Sequence, residues 1–139
     1  MIAALPYHAM HPFGVERRRA ETLRFACERA TRIDALAALD GPAARDALVR
    51  FPGIGPWTAA EVARLGLADA DAVSVGDFHL PNVVAWALAG EPRGTDERML
   101  ELLEPYRGHR GRVQRLLEAG SIKAPRYGPR ADIRTMDRI

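Results

Sequence analysis

Apolar side chains recur at three- and four-residue intervals along nearly all of this 139-residue chain, and no stretch shows the apolar–polar alternation of a half-buried strand. Glycine and proline residues interrupt the pattern often, so each helical segment is short. The sequence therefore predicts an all-α fold, a compact bundle of short helices. The predicted helices span 16–30, 32–39, 43–50, 56–66, 78–88 and 109–119, with a further helix capped by Thr95.

Two segments between these helices carry specific expectations. The tripeptide Asp40-Gly41-Pro42 is expected to end the helix over 32–39, because glycine and proline break helices. The connection at 67–76 is expected to expose Asp69 and Asp71.

The composition is that of a globular domain, with 47% hydrophobic and 27% charged residues. No apolar run approaches the roughly 18 residues that a membrane-spanning helix needs. The first residues are too poor in basic side chains for a signal peptide. We therefore expect a cytoplasmic protein with no membrane partner. The single Cys27 excludes an intrachain disulfide and any four-cysteine cluster supplied by this chain.

The charge is unevenly distributed, although its net value is only +2. Arginines gather near both ends of the chain. The stretch 121–139 is predicted to be a basic, irregular tail that follows a domain over 1–120. Arg110 and Arg112 suit either contacts with phosphate groups or an ordinary solvated face.

The segment at 51–60, FPGIGPWTAA, carries the strongest sign of chemistry. Gly53 and Gly55 permit a tight turn and close approach of another molecule to the backbone. Ile54 is expected to turn back toward the core. The N–H groups of the loop, and of the helix that starts at Pro56 and includes Thr58, then form a site for an anion such as a DNA phosphate. The alternative is a tight helix–helix turn without a ligand.

This segment resembles the second half of the helix-hairpin-helix signature of the base-excision DNA glycosylase superfamily. The stretch at 72–79, AVSVGDFH, resembles that superfamily's glycine- and proline-rich loop, which ends in an essential aspartate. The residues at 11–14 and 17–23 resemble the run that precedes the hairpin. The resemblance covers 13–120.

In the superfamily the catalytic domain begins before the matched region, and its earlier helices supply half of the base pocket. The resemblance therefore implies that 1–120 is a partial glycosylase domain, its C-terminal half.

Trp57 indicates the subfamily. Members that also cleave the DNA strand carry at this position a lysine that attacks C1′ of the sugar, whereas the 3-methyladenine glycosylase II group resembles this chain in carrying tryptophan. The resemblance thus implies a monofunctional enzyme of DNA repair that hydrolyses the glycosidic bond of alkylated bases, with Trp57 contacting the substrate. The shortage of cysteines disfavours the iron–sulfur branch. No cofactor is required, although the resemblance allows a monovalent cation at the hairpin. Ordinary core packing is the alternative role for Trp57.

Asp77 is the predicted catalytic residue. Glycosidic hydrolysis builds positive charge on the sugar, which a fixed carboxylate stabilises. The helix predicted to begin near Phe78 should keep Asp77 ionised at neutral pH. The alternative is an ordinary helix cap. His79 is expected near a phosphate or beside the aspartate, or else exposed without a role.

The implied partner is duplex DNA, held by its phosphate backbone and with the damaged base flipped out. The residues expected to contact DNA are Gly53, Ile54, Gly55, Thr58 and His79. Two alternatives remain open. One is a helix-hairpin-helix module that binds DNA without catalysis, and the other is an inactive truncated glycosylase.

Overall fold

The structure, a computed structural model, describes residues 2–125, and within that range the chain forms eight α-helices and no β-strand. The predicted all-α bundle of short helices is thereby confirmed. The helices are α1 (Tyr7–Met10), α2 (Arg17–Glu28), α3 (Ala30–Asp34), α4 (Gly41–Val49), α5 (Pro56–Gly66), α6 (Leu80–Ala89), α7 (Asp96–Leu103) and α8 (Arg110–Ala119). Short 3₁₀ turns lie at Ile2–Ala4, His11–Phe13, Ala35–Ala38 and Glu104–Tyr106.

The predicted basic tail is described only over residues 121–125, which form no helix. The rest of that prediction, 126–139, lies outside the described residues. None of the helices within 2–125 is long and apolar enough to cross a lipid bilayer.

Asp40-Gly41-Pro42 follows the end of one helical segment, as predicted, and also begins the next helix. Asp40 is the N-cap of α4, and its Oδ1 accepts the Ala43 N–H at 2.8 Å. Proline is favourable in the first turn, where its missing N–H costs nothing, so the same residues that stop one helix start the next. The predicted helix over 32–39 is instead split between the end of α3 and a 3₁₀ turn.

The main core lies between α6, α7 and α8. Thr95 caps α7 as predicted, because its Oγ1 accepts the Arg98 N–H at 3.2 Å. The acidic side chains in the first turn of α7 also suit the positive N-terminal end of that helix. The buried side chains of this core are Leu80, Val84, Met99, Leu103 and Leu117.

A second packed region joins α4 and α5 to the connection that follows them. Ala60 and Ala63 of α5 are buried against Ala72. Because these side chains are small, the returning chain lies close to α5 and leads toward the start of α6.

Two aspartates anchor this connection, which corrects the expectation that both are exposed. Asp69 forms an ion pair with Arg45, and its side chain is only 8% exposed. Asp71 forms an ion pair with Arg110 and accepts the Gly108 N–H at 2.8 Å. The Arg110 side chain, by hydrogen bond and charge, lowers the pKa of Asp71 to about 2 despite partial burial. Arg110 is therefore engaged within the fold rather than spread over a solvated face.

Candidate functional site

The hairpin loop between α4 and α5 packs against α2. The Ile54 N–H donates to the Phe51 carbonyl at 3.0 Å, which closes the turn, and Ile54 is half-buried as expected. Gly53 has φ of 83° and lies so close to Thr22 that a Cβ would collide with that side chain. Both facts require glycine at this position.

Gly55 differs from Gly53, because neither conformation nor packing requires a glycine there. Its φ of −90° suits any residue, and a Cβ would meet nothing within 4 Å. Gly55 is the N-cap of the eleven-residue helix α5 and supplies no side chain to cap it. The first-turn N–H groups of Trp57 and Thr58 therefore have no intrahelical partner. A group such as phosphate can approach this helix end directly.

Trp57 and Asp77 meet beside this helix end, although 20 residues separate them in the chain. The indole Nε1–H of Trp57 donates to Oδ2 of Asp77 at 3.1 Å. The second carboxylate oxygen, Oδ1, accepts the backbone N–H groups of His79 at 2.7 Å and Leu80 at 2.8 Å. Three N–H donors thus fix the Asp77 carboxylate, which accepts the first N–H of α6. The helix begins two residues later than predicted, and its N-cap residue is His79 rather than Asp77.

The pKa of Asp77 is lowered from the ordinary value of 3.8. Partial burial acts to raise it, but the hydrogen bonds from Leu80, His79 and Trp57 and the charge of His79 outweigh that effect. The carboxyl group is therefore ionised at neutral pH, as the sequence led us to expect.

Two aromatic side chains lie exposed around this carboxylate. Trp57 is 45% exposed and Phe78 is 85% exposed. The Phe78 ring meets the exposed imidazole of His79 edge-on, with 4.9 Å between ring centroids. Sequence reasoning treated Phe78 only as the start of a helix. Its position directly after Asp77 is the signal that could have identified it.

The loop that carries Asp77 is fixed by hydrogen bonds to residues that are distant in the sequence. The Gly76 N–H donates to Asp96 Oδ2 at 3.0 Å. Ser74 is buried, and its N–H donates to Oε1 of Gln114 at 3.0 Å while its hydroxyl donates to Glu61. This polar network was not foreseen, because 40 residues separate Ser74 from Gln114.

The predicted site residues therefore fall into two adjoining groups. Gly53, Ile54 and Gly55 form the hairpin loop, and Thr58 lies in the first turn of α5 with Trp57. The second group is Asp77 and His79 at the start of α6, joined to the first by the Trp57–Asp77 hydrogen bond.

Within residues 2–125, no three histidine, cysteine or acidic side chains are grouped so as to hold a metal ion. No protein-family model, curated protein or solved structure matches this chain. The family and activity of the chain are therefore proposals made from its own residues.

Proposed function

We propose that this chain is a helix-hairpin-helix DNA glycosylase of the 3-methyladenine type, which hydrolyses the N-glycosidic bond of alkylated bases in duplex DNA. The observation that carries the proposal is the 3.1 Å hydrogen bond from Trp57 to Asp77, beside the open first turn of α5. It joins an ionised carboxylate to an anion-accepting helix end, and the proposed reaction needs both.

Asp77 is suited to stabilise the sugar as the bond between C1′ and the base nitrogen breaks. In this step the base leaves with the bonding electron pair, and positive charge develops on the sugar. Water then supplies the new oxygen at C1′ and releases one proton to the solvent. A carboxylate held by three N–H donors needs little rearrangement to meet that charge. The exposed Phe78 ring beside it offers a surface against which a flipped base or its neighbour can stack.

Trp57 offers no amine nucleophile, so the proposed enzyme leaves an abasic site in an unbroken strand. The test uses methylated duplex with one end-labelled strand. We expect the labelled strand to stay at full length until alkali is added, and borohydride to trap no covalent protein–DNA complex. A borohydride-trapped complex with the parent chain would contradict hydrolysis as the reaction.

The hairpin is proposed to hold a phosphate of the DNA strand through the first-turn amides of α5. The resemblance also allows a monovalent cation here, which the backbone carbonyls of the hairpin would hold and which would supply positive charge for the phosphate.

Two substitutions of Gly55 test phosphate binding without a large change in the stability of the fold. Asp and Asn are comparably good N-cap residues, and position 55 has room for either side chain. We expect Gly55→Asp and Gly55→Asn to unfold within about 0.5 kcal/mol of the parent chain. Only Gly55→Asp adds a negative charge where the phosphate would lie, so it should bind duplex DNA at least about tenfold more weakly than Gly55→Asn. The measurement is fluorescence anisotropy of a labelled duplex, and equal affinity of the two variants would contradict the phosphate site.

A DNA-binding module without catalysis is the second candidate, favoured by the open space in front of Gly55, which does not depend on Asp77. That module would show the Gly55→Asp effect and release no base.

A further inference from the structure

A recess lined by arginines lies beside the hairpin loop, and neither Trp57 nor Asp77 lines it. It forms where α2, α3 and the following 3₁₀ turn meet the end of α4, and its volume is about 150 Å³. Arg29, Arg32 and Arg50 line it together with Phe25, Phe51 and Pro52. Phe51 and Pro52 also begin the hairpin loop, so one wall of the recess is continuous with that loop.

Aromatic rings support two of the three arginines. The Arg29 guanidinium lies 3.6 Å from the ring centroid of Phe25, and that of Arg32 lies 5.6 Å from the ring centroid of Phe51. Cation–π contact holds a guanidinium in place while leaving its N–H donors free for an anion.

The recess carries more positive than negative charge. Arg29 is paired with Glu28 at 3.2 Å and donates to the Phe25 carbonyl at 3.3 Å. Neither Arg32 nor Arg50 has a carboxylate within 4 Å among the residues that the structure describes. Three cations therefore share one carboxylate, an arrangement that an anionic ligand would stabilise.

The size of the recess suits a phosphate group. Its 150 Å³ is several times the space that one water molecule needs. A phosphate has five heavy atoms, and guanidinium groups bind its oxygens in pairs.

We propose that this recess binds a second phosphate of the DNA strand that the hairpin holds. The proposal rests on the proposed function, because it needs DNA at the hairpin. Only two residues lie between Pro52, which lines the recess, and Gly55, which begins the proposed phosphate site, so these two residues are at most about 11 Å apart. A single strand can supply phosphates to both.

The test is the salt dependence of duplex binding, measured by fluorescence anisotropy between 50 and 200 mM salt. The variant Arg32→Ala/Arg50→Ala is compared with a control, Arg107→Ala/Arg115→Ala, which removes two exposed arginines outside the recess and the hairpin. Losing one phosphate contact should reduce the slope of log affinity against log salt by about 0.9. Over this fourfold range of salt, the recess variant should therefore lose about 3.5-fold less affinity than the parent chain, and the control variant should match the parent.

The possible failures are distinguishable. If both variants have the slope of the parent chain, the recess does not bind a phosphate of the DNA strand, while DNA binding at the hairpin stands. If calorimetry then shows that inorganic phosphate binds the parent chain but not the recess variant, the recess is a site for free phosphate. That result overturns the proposal that it binds a phosphate of the DNA strand. If the parent chain does not bind duplex at all, the proposed function itself fails.

Discussion

Asp77→Asn should release alkylated base from methylated duplex at least about 100-fold more slowly than the parent chain, under single-turnover conditions with protein in excess. The asparagine oxygen can still accept hydrogen bonds from the N–H groups of His79 and Leu80 at the start of α6. The variant loses the negative charge that would meet the developing positive charge of the sugar. It also loses the hydrogen bond from Trp57, because the amide NH2 that replaces Oδ2 cannot accept it. One such electrostatic contact contributes about 100- to 1,000-fold to a rate.

The matched control is Asp34→Asn, which removes one exposed carboxylate at the end of α3. We expect its rate to equal that of the parent chain, and both variants to unfold near the temperature of the parent. An Asp77→Asn protein that keeps the parent rate would mean that Asp77 is only a helix cap.

The parent chain and Asp77→Asn should also differ in how their unfolding temperatures depend on pH. Because the pKa of Asp77 is lowered in the folded state, its ionisation contributes stability above the unfolded value of 3.8, and this contribution is lost as the pH falls through the folded value. Any difference in unfolding temperature between parent and Asp77→Asn should therefore be constant from pH 8 to pH 5 and shrink below about pH 4. For the same reason, loss of activity between pH 8 and pH 5 should not come from Asp77.

Gly53→Ala should lower the free energy of unfolding by about 2–5 kcal/mol. A φ of 83° costs a residue with a Cβ about 1–2 kcal/mol. The new methyl group would also collide with Thr22, and overpacking of that kind costs about 1–3 kcal/mol. Urea denaturation measures the loss directly.

Two companion variants separate these causes. Gly55→Ala should change stability by less than about 1 kcal/mol, because position 55 has an ordinary φ and open space. The entropy lost by the unfolded chain favours alanine, and this offsets the poorer capping of α5 by alanine. Adding Thr22→Ala to Gly53→Ala should recover the part that comes from the collision. A Gly53→Ala protein as stable as Gly55→Ala would show that the hairpin does not pack on α2 in this way.

The parts of the fold that sequence predicted well depend on local signals. Pro56 marks the start of α5, and the hydroxyl of Thr95 caps α7 where an acidic first turn follows. Each signal acts within one helical turn, so it can be read without knowing what packs nearby.

The parts that were missed depend on partners far along the chain. Asp69 and Asp71 look like exposed loop residues until Arg45 and Arg110 are brought to them. Ser74 is buried because Gln114 supplies its hydrogen bonds. A buried polar group is tolerable only when such a partner exists, and periodicity carries no information about that partner.

The candidate site also has a part that the sequence predicted and a part that it did not. The hairpin glycines and Asp77 were predicted, but through resemblance to a family, since a Gly-x-Gly alone is common in turns. The direct bond between Trp57 and Asp77 requires the chain after α5 to return along that helix, which the small alanines of α5 permit. The recess lined by Arg29, Arg32 and Arg50 was not foreseen, because these residues come from separate elements.

The most direct test of the central claim is chromatography of the free bases released when the parent chain is incubated with duplex DNA, methylated or unmethylated, at saturating protein. We predict free methylated purine from the methylated duplex and no release from the unmethylated one. A parent chain that binds the methylated duplex but releases no base from it would contradict the glycosylase and leave a DNA-binding module.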